Sequence, residues 1–170
     1  MLKLSAVVLP VYIQMLGGLE NVLAAARIAC DASGEDETAF VKARLAPDML
    51  DFSWQVQSAA TNSLVGLRGA MAGRYELDLT EPADTLPGLT KRVVATRAEI
   101  EALDPCDIDA LVGRDVLHVP RGVVFSAEAF ITGFSMPNFY FHLVTAYDIM
   151  RSKGVPIGKS HYLGRLPVRY

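Results

Sequence analysis

The sequence has little of what usually builds a metal site or a disulfide framework, with only two cysteines and three histidines in 170 residues. Cys30 and Cys106 lie far apart in the chain and fit no common metal-binding or disulfide spacing. A protein without disulfides is typical of a reducing compartment. We therefore expect a cytoplasmic protein in which both cysteines act as small hydrophobic residues.

An excess of one charge is also absent. The 16 basic and 19 acidic side chains give a formal net charge of -3, so the chain has no general attraction to phosphate, and we expect no nucleic acid partner. Residues 149–170 nevertheless contain several basic side chains and no acid. Arg151 and Lys159 are therefore candidates for the rim of an anion site; the alternative is that they pair with the acidic residues of 31–51 or stay solvated.

No apolar run is long enough to predict a membrane span, although 51% of the residues are hydrophobic. The apolar N-terminal stretch is interrupted by Glu20 and Asn21 before it reaches the roughly 18 to 20 residues that a span needs. Its hydrophobic side chains recur at alternating spacings of four and three residues, as in a bundle helix. We therefore predict helix 1 from about Ser5 to Ala32 and no membrane partner.

Three more amphipathic helices are predicted from the same periodicity. Helix 2 runs from about Met49 to Met71, helix 3 from an N-cap at Asp84 or Thr85 to about Leu103, and helix 4 from Pro137 to Lys153. A short helix is also expected within residues 36–45.

The pattern between helices 3 and 4 changes to alternation. Residues 115–119 and 123–125 flank a Pro-Arg-Gly turn, which predicts a small hairpin with a half-exposed His118. We expect Gly133 to end a short helical turn before helix 4. The proline- and glycine-containing tail of residues 155–170 is expected to be irregular and to pack back on the helices.

Four amphipathic helices without internal repeats predict one fold for residues 1–170. It is a single all-α domain, an antiparallel four-helix bundle with a small β-hairpin before the last helix. An α+β arrangement would need more strand than the sequence contains.

Polar residues on the inner faces of helices 2 and 4 predict a pocket between them. Asn138, His142 and Thr145 share one side of helix 4, and Gln57 and Thr61 interrupt the apolar face of helix 2. Buried polar groups are costly when isolated. Their similar depth in the two helices therefore predicts a shared hydrogen-bonded cluster or a small polar cavity.

The role of His142 has three interpretations at this point. It is a neutral core histidine bonded to Gln57, Thr61 or a buried water, or it belongs to a ligand-binding or vestigial catalytic site, or it binds a metal. The last is the weakest, because one imidazole among neutral amides is a poor set of zinc ligands. We expect no cofactor.

The stretch PNFYFHLVTAYDIMRSKGVPIGKSHYLG, together with FSWQVQSAA, resembles a domain-of-unknown-function family of bacteria and fungi in the DinB/YfiT-like superfamily. This resemblance implies a DinB-like bundle that is commonly dimeric, and we expect a homodimer formed through helices 1 and 4. It also implies kinship with metal-dependent thiol transferases and hydrolases that use three histidines, one from helix 2 and two from helix 4 at i, i+4. Here Asn138 and His142 have that spacing, and helix 2 has no histidine.

Two hypotheses for function follow from this incomplete histidine triad. The first is a small-molecule-binding or non-catalytic bundle. The second is an enzyme of the DinB-type thiol transferase or hydrolase class that uses a polar pocket centred on His142. The sequence identifies neither a substrate nor a reaction.

Overall fold

The computed structural model describes residues 2–168 and is organised around the long first helix, α1 (Leu4–Ser33). The helix ends at Gly34, whose φ of 69° lies in the left-handed region that favours glycine. Tyr12, Leu16, Leu19 and Leu23, which are spaced by four and three residues, lie on one side and are at most 1% exposed. The prediction of a bundle helix from this periodicity is confirmed.

By length and composition alone, α1 is apolar enough to cross a membrane. The expectation that Glu20 and Asn21 rule out such a stretch was therefore too strict. Half of the 18-residue stretch of α1 that is apolar enough for a span is buried inside the protein. The helix packs along α5 (Leu86–Glu101). The core helix of a bundle can be equally long and apolar, so these two properties alone are weak evidence for a membrane span.

The predicted helix 2 is one continuous rod with a π-helical segment in its middle. It consists of α3 (Phe52–Ala60), the π segment Thr61–Val65 and α4 (Gly66–Ala72). The carboxylate of Asp51 accepts a hydrogen bond from the backbone N–H of Trp54 and caps its start. Before this rod lies the short α2 (Thr38–Val41), and after α5 lies the short α6 (Pro105–Asp109).

The last rod is longer than predicted, because Gly133 does not interrupt it. Helix α7 (Ala127–Phe130), the π segment Ile131–Ser135 and α8 (Met136–Ser152) follow one another without a break. Pro137 has no N–H for the regular α-helical bond, and the wider π turn before it lets the helix continue.

The strands form a three-stranded sheet, one strand more than predicted. Strands β2 (Asp115–His118) and β3 (Val123–Ser126) form the expected antiparallel hairpin, and the two-residue β1 (Arg74–Tyr75) pairs parallel to β2. The pairing places His118 beside Tyr75. His118 is only 2% exposed and is surrounded by aromatic rings, so the prediction of a half-exposed side chain was wrong.

The tail also contains a helix, α9 (Lys159–Leu163), where only irregular structure was expected. As predicted, the tail packs on the bundle: α9 lies against α1, where Gly18 allows the backbone of Tyr162 to come close. The resulting architecture is a mostly helical bundle, in which α3 packs against α8, with a small sheet at one end.

Candidate functional site

A cavity of about 210 Å³ lies between the α3–α4 rod and α8. Four of the five residues predicted for the pocket line it: Gln57, Thr61, Asn138 and His142. The remaining lining residues are Leu50, Trp54, Ser58, Asn62, Tyr75, Leu77, Asp78 and Phe134.

Both π-helical segments contribute to this cavity. Thr61 and Asn62 belong to the first segment and Phe134 to the second. The segments are joined by Ser135, whose hydroxyl donates to the backbone oxygen of Asn62 and lies 2.8 Å from the hydroxyl of Tyr12. Such π turns often occur at functional sites in helices.

The structure does not bring the other predicted residues to the cavity. The hydroxyl of Thr145 donates to the backbone oxygen of Phe141, one turn earlier in its own helix. Arg151 donates to the backbone oxygen of Val155, and Lys159 lines a separate shallow groove beside Tyr162. The proposed anion rim is therefore not part of this site.

A larger groove of about 550 Å³ lies elsewhere, between α1, α5 and the chain end. Its charged side chains are largely ion-paired with each other, as in the bonds from Arg97 to Glu20 and Glu101. It contains none of the residues predicted for a site, so we regard the smaller cavity as the candidate site.

His142 has a different hydrogen-bond partner from those expected. Its Nδ1 lies 2.8 Å from Oε1 of Gln55, and Nε2 of Gln55 donates to the backbone oxygen of Leu50. Gln55 therefore presents its oxygen to the ring, and the ring must carry its proton on Nδ1. Burial lowers the pKa of His142 to about 4, so the imidazole is neutral at pH 7 and its Nε2 is a hydrogen-bond acceptor.

The amide of Gln57 has no such partner. This residue is only 4% exposed, and its Nε2 atom is buried without a hydrogen-bond partner among the described residues. Leaving a buried donor unpaired costs about 1–3 kcal/mol. Gln57 lines the cavity, but Nε2 itself has almost no accessible surface, so an occupant becomes its partner only if the side chain turns toward the cavity.

Two further amides line the cavity with their oxygens unbonded. The side-chain Nδ2 atoms of Asn138 and Asn62 donate to the backbone oxygens of Phe134 and Ser58 at 2.7 and 2.8 Å. Each Oδ1 then has no donor within the part of the chain that the structure describes. These two oxygens and Nε2 of His142 are thus acceptors on residues that line the same cavity.

The sequence did not reveal Asp78, which lies in the irregular connector between β1 and α5. Its carboxylate accepts hydrogen bonds from the Thr61 hydroxyl, from the backbone N–H of Thr80 and from the guanidinium of Arg92. Burial alone would raise the pKa of Asp78, but the bonds from Thr80 and Thr61 and the charge of Arg92 outweigh it and lower that pKa. Asp78 is thus an ionised group in the cavity wall.

The residues present do not fit the divalent metal that the superfamily implies. No three histidine, cysteine or acidic side chains within residues 2–168 are grouped closely enough to hold a metal ion. The cavity offers one imidazole and one carboxylate that already accepts three hydrogen bonds, and the other polar groups are amides and hydroxyls. Zinc sites are built from imidazole, thiolate and carboxylate ligands.

The comparisons agree with this fold. The chain is similar to a crystal structure of a DinB family member protein from Shewanella denitrificans, with 26% sequence identity, a TM-score of 0.85, and coverage of 98% of this chain and 95% of that chain. The protein therefore has a DinB-like fold. Residues 4–163 match the family described as "Domain of unknown function (DUF1993)", and the chain belongs to this family. No curated protein matches it.

Proposed function

We propose that the protein binds a small molecule in the cavity beside His142. The observation that carries this proposal is the amide of Gln57, a buried donor left without a partner in the wall of a cavity. Unsatisfied buried polar groups are rare in folded proteins and call for an explanation. A ligand that reaches Nε2 of Gln57 would supply the missing hydrogen bond.

The size of the cavity limits the ligand. A volume of about 210 Å³ is that of roughly seven water molecules in the liquid. This favours a molecule, or part of a molecule, with few heavy atoms. The aromatic and aliphatic side chains of Trp54, Phe134 and Leu77 would enclose its apolar atoms.

The second candidate is an enzyme of the DinB-type transferase or hydrolase class. Its support is the unprotonated Nε2 of His142, which is free to accept a proton. However, a base with a pKa of about 4 is weak at neutral pH, where general bases work best with a pKa near 7. We therefore place binding before catalysis.

The fluorescence of Trp54 tests the binding proposal, because it is the only tryptophan of the chain and lines the cavity. The purified protein is titrated with five-carbon alcohols, amides, amines and carboxylates. We expect at least one of these compounds to change the fluorescence saturably. In His142→Leu the response should be lost or weakened at least about tenfold.

The control is Gln14→Leu, which removes a side chain of the larger groove and its hydrogen bond to the backbone oxygen of Leu163, both outside the cavity. It should bind like the unmodified protein. Circular dichroism establishes that His142→Leu is folded. A response that persists in folded His142→Leu, or no response to any compound, would contradict the proposed function.

A further inference from the structure

The hydrogen-bonding groups of the cavity wall restrict the chemistry of a ligand. Nε2 of His142 and the Oδ1 atoms of Asn62 and Asn138 all lack a donor within the described residues. A ligand that brings only acceptors would leave them unpaired and desolvated, which is costly. The occupant must therefore donate hydrogen bonds.

The wall also offers a donor. Nε2 of Gln57 is shielded in the wall and needs an acceptor. When the side chain turns toward the ligand to gain one, the polar group of the ligand must accept as well as donate. A carboxamide does both with its nitrogen and its oxygen, and a hydroxyl does both with one atom.

The charges around the cavity oppose an anion. Asp78 is the one charged side chain among the lining residues that the structure describes, and its carboxylate is ionised. Its counterion Arg92, 3.5 Å away, does not line the cavity. A carboxylate or phosphate that entered would meet a negative charge, a neutral imidazole and amide oxygens.

The mouth of the cavity is apolar. Leu50 and Leu77 line it and are 47% and 56% exposed, and Trp54 is a further apolar lining residue. Large exposed aliphatic side chains next to a cavity favour an apolar part of a ligand at its entrance.

Building on the proposed binding function, we infer that the cavity takes an uncharged carboxamide or hydroxyl group carried on a short apolar chain, and that it rejects carboxylates and phosphates. The amide or hydroxyl donates to Nε2 of His142 and, once the Gln57 side chain turns toward it, accepts from Nε2 of Gln57. The apolar chain lies against Leu50, Trp54 and Leu77.

Two probes with the same five-carbon skeleton, valeramide and valerate, test this inference by titration of Trp54 fluorescence at pH 7. Valeramide should bind at least about tenfold more tightly than valerate, since a like charge at close range costs more than about 1.4 kcal/mol. Equal or tighter binding of valerate would overturn the inference.

The variant Asp78→Asn tests the cause of the preference. It removes the negative charge and leaves Arg92 without its carboxylate. The dissociation constant of valerate divided by that of valeramide should therefore fall at least about threefold. The control is Glu76→Gln in the same connector, whose carboxylate bonds Arg74 outside the cavity; this variant should keep the ratio. An unchanged ratio in folded Asp78→Asn would contradict the assigned role of Asp78. If that variant does not fold, the ratio measured on the unmodified protein still tests the preference for the uncharged ligand.

Failure of this inference can be separated from failure of the proposed function. If valeramide and the alcohols do not bind, but an amine or carboxylate does in a manner that His142→Leu abolishes, the assigned ligand class is wrong and the binding site stands. If no compound binds, the binding function itself is wrong.

Discussion

Nδ1 of His142 lies 2.8 Å from Oε1 of Gln55, and this contact decides which ring nitrogen carries the proton. In contrast, Nδ1 of His118 and Nδ1 of His161 each accept a backbone N–H. At a pH where the rings are neutral, we expect nitrogen NMR to show the proton on Nδ1 for His142 and on Nε2 for the other two. Gln55→Leu should remove this difference. A proton on Nε2 of His142 in the unmodified protein would contradict the structure.

Burial of His142 should make the stability of the protein depend on pH. Its pKa is about 4 in the folded protein, against 6.5 for the ordinary group. As the pH falls below about 6.5 the unfolded chain takes up a proton that the folded chain does not, so the free energy of unfolding decreases. The loss should approach about 3 kcal/mol near pH 4 and then level off.

The measurement is the difference in free energy of unfolding between the unmodified protein and His142→Leu, from urea denaturation at several pH values. The difference isolates this histidine from the acidic side chains that titrate in the same range. A difference that stays constant from pH 7 to pH 4 would show that the ring is not desolvated.

Docking of the tail on α1 depends on a glycine. A Cβ atom at Gly18 would overlap the backbone oxygen of Tyr162 and lie 2.9 Å from its carbonyl carbon. Gly18→Ala should therefore destabilise the protein by on the order of 1–3 kcal/mol and expose the tail to proteases. Gly17→Ala is the control, since nothing lies within 4 Å of a Cβ there. Alanine should stabilise that position by roughly 0.5–1 kcal/mol. Equal effects of both variants would refute the close contact.

The junction between the two π segments has a similar requirement. A Cβ atom at Gly66 would overlap the hydroxyl oxygen of Ser135 and lie 3.2 Å from its Cβ. This serine bridges Tyr12 and Asn62, so Gly66→Ala should displace the bridge and lower the thermal midpoint by several degrees. Gly133→Ala lies in the second π segment with open space around it and should not lower it.

Much of the helical fold could be predicted from periodicity alone, because stripes such as that of Tyr12, Leu16 and Leu23 specify which side of a helix is buried. The two-residue strand Arg74–Tyr75 is too short to produce a pattern. Its pairing with β2 depends on tertiary contacts that no local signal carries. The same pairing buries His118, which alternation alone had placed partly at the surface. Continuity through Gly133 was missed because a π turn leaves no simple sequence signal.

The site could be predicted only in part, because only its helical residues leave a periodic pattern in the sequence. Gln57, Asn138 and His142 lie on regular α-helices and Thr61 directly follows one, so their depth could be read from their spacing. Asp78 lies in a connector without secondary structure, and the sequence gives no way to see which helix such a segment crosses. Gln57 was expected as the partner of His142 because it interrupts the apolar inner face of the helix. The observed partner is Gln55, and which glutamine meets the ring depends on side-chain rotamers that the sequence does not specify.

The π turn at Ile131–Ser135 sets the angular phase of everything that follows it in the last helix. A π turn holds about one residue more than an α turn, and each residue of an α-helix advances the chain by about 100° around the axis. Deleting one residue there would restore an ordinary helix and leave Asn138 and His142 facing the cavity, whereas a regular α-helix that kept every residue would rotate both by that angle. When this helix is aligned with an uninterrupted one, a one-residue gap before Met136 is needed to bring the cavity residues into register.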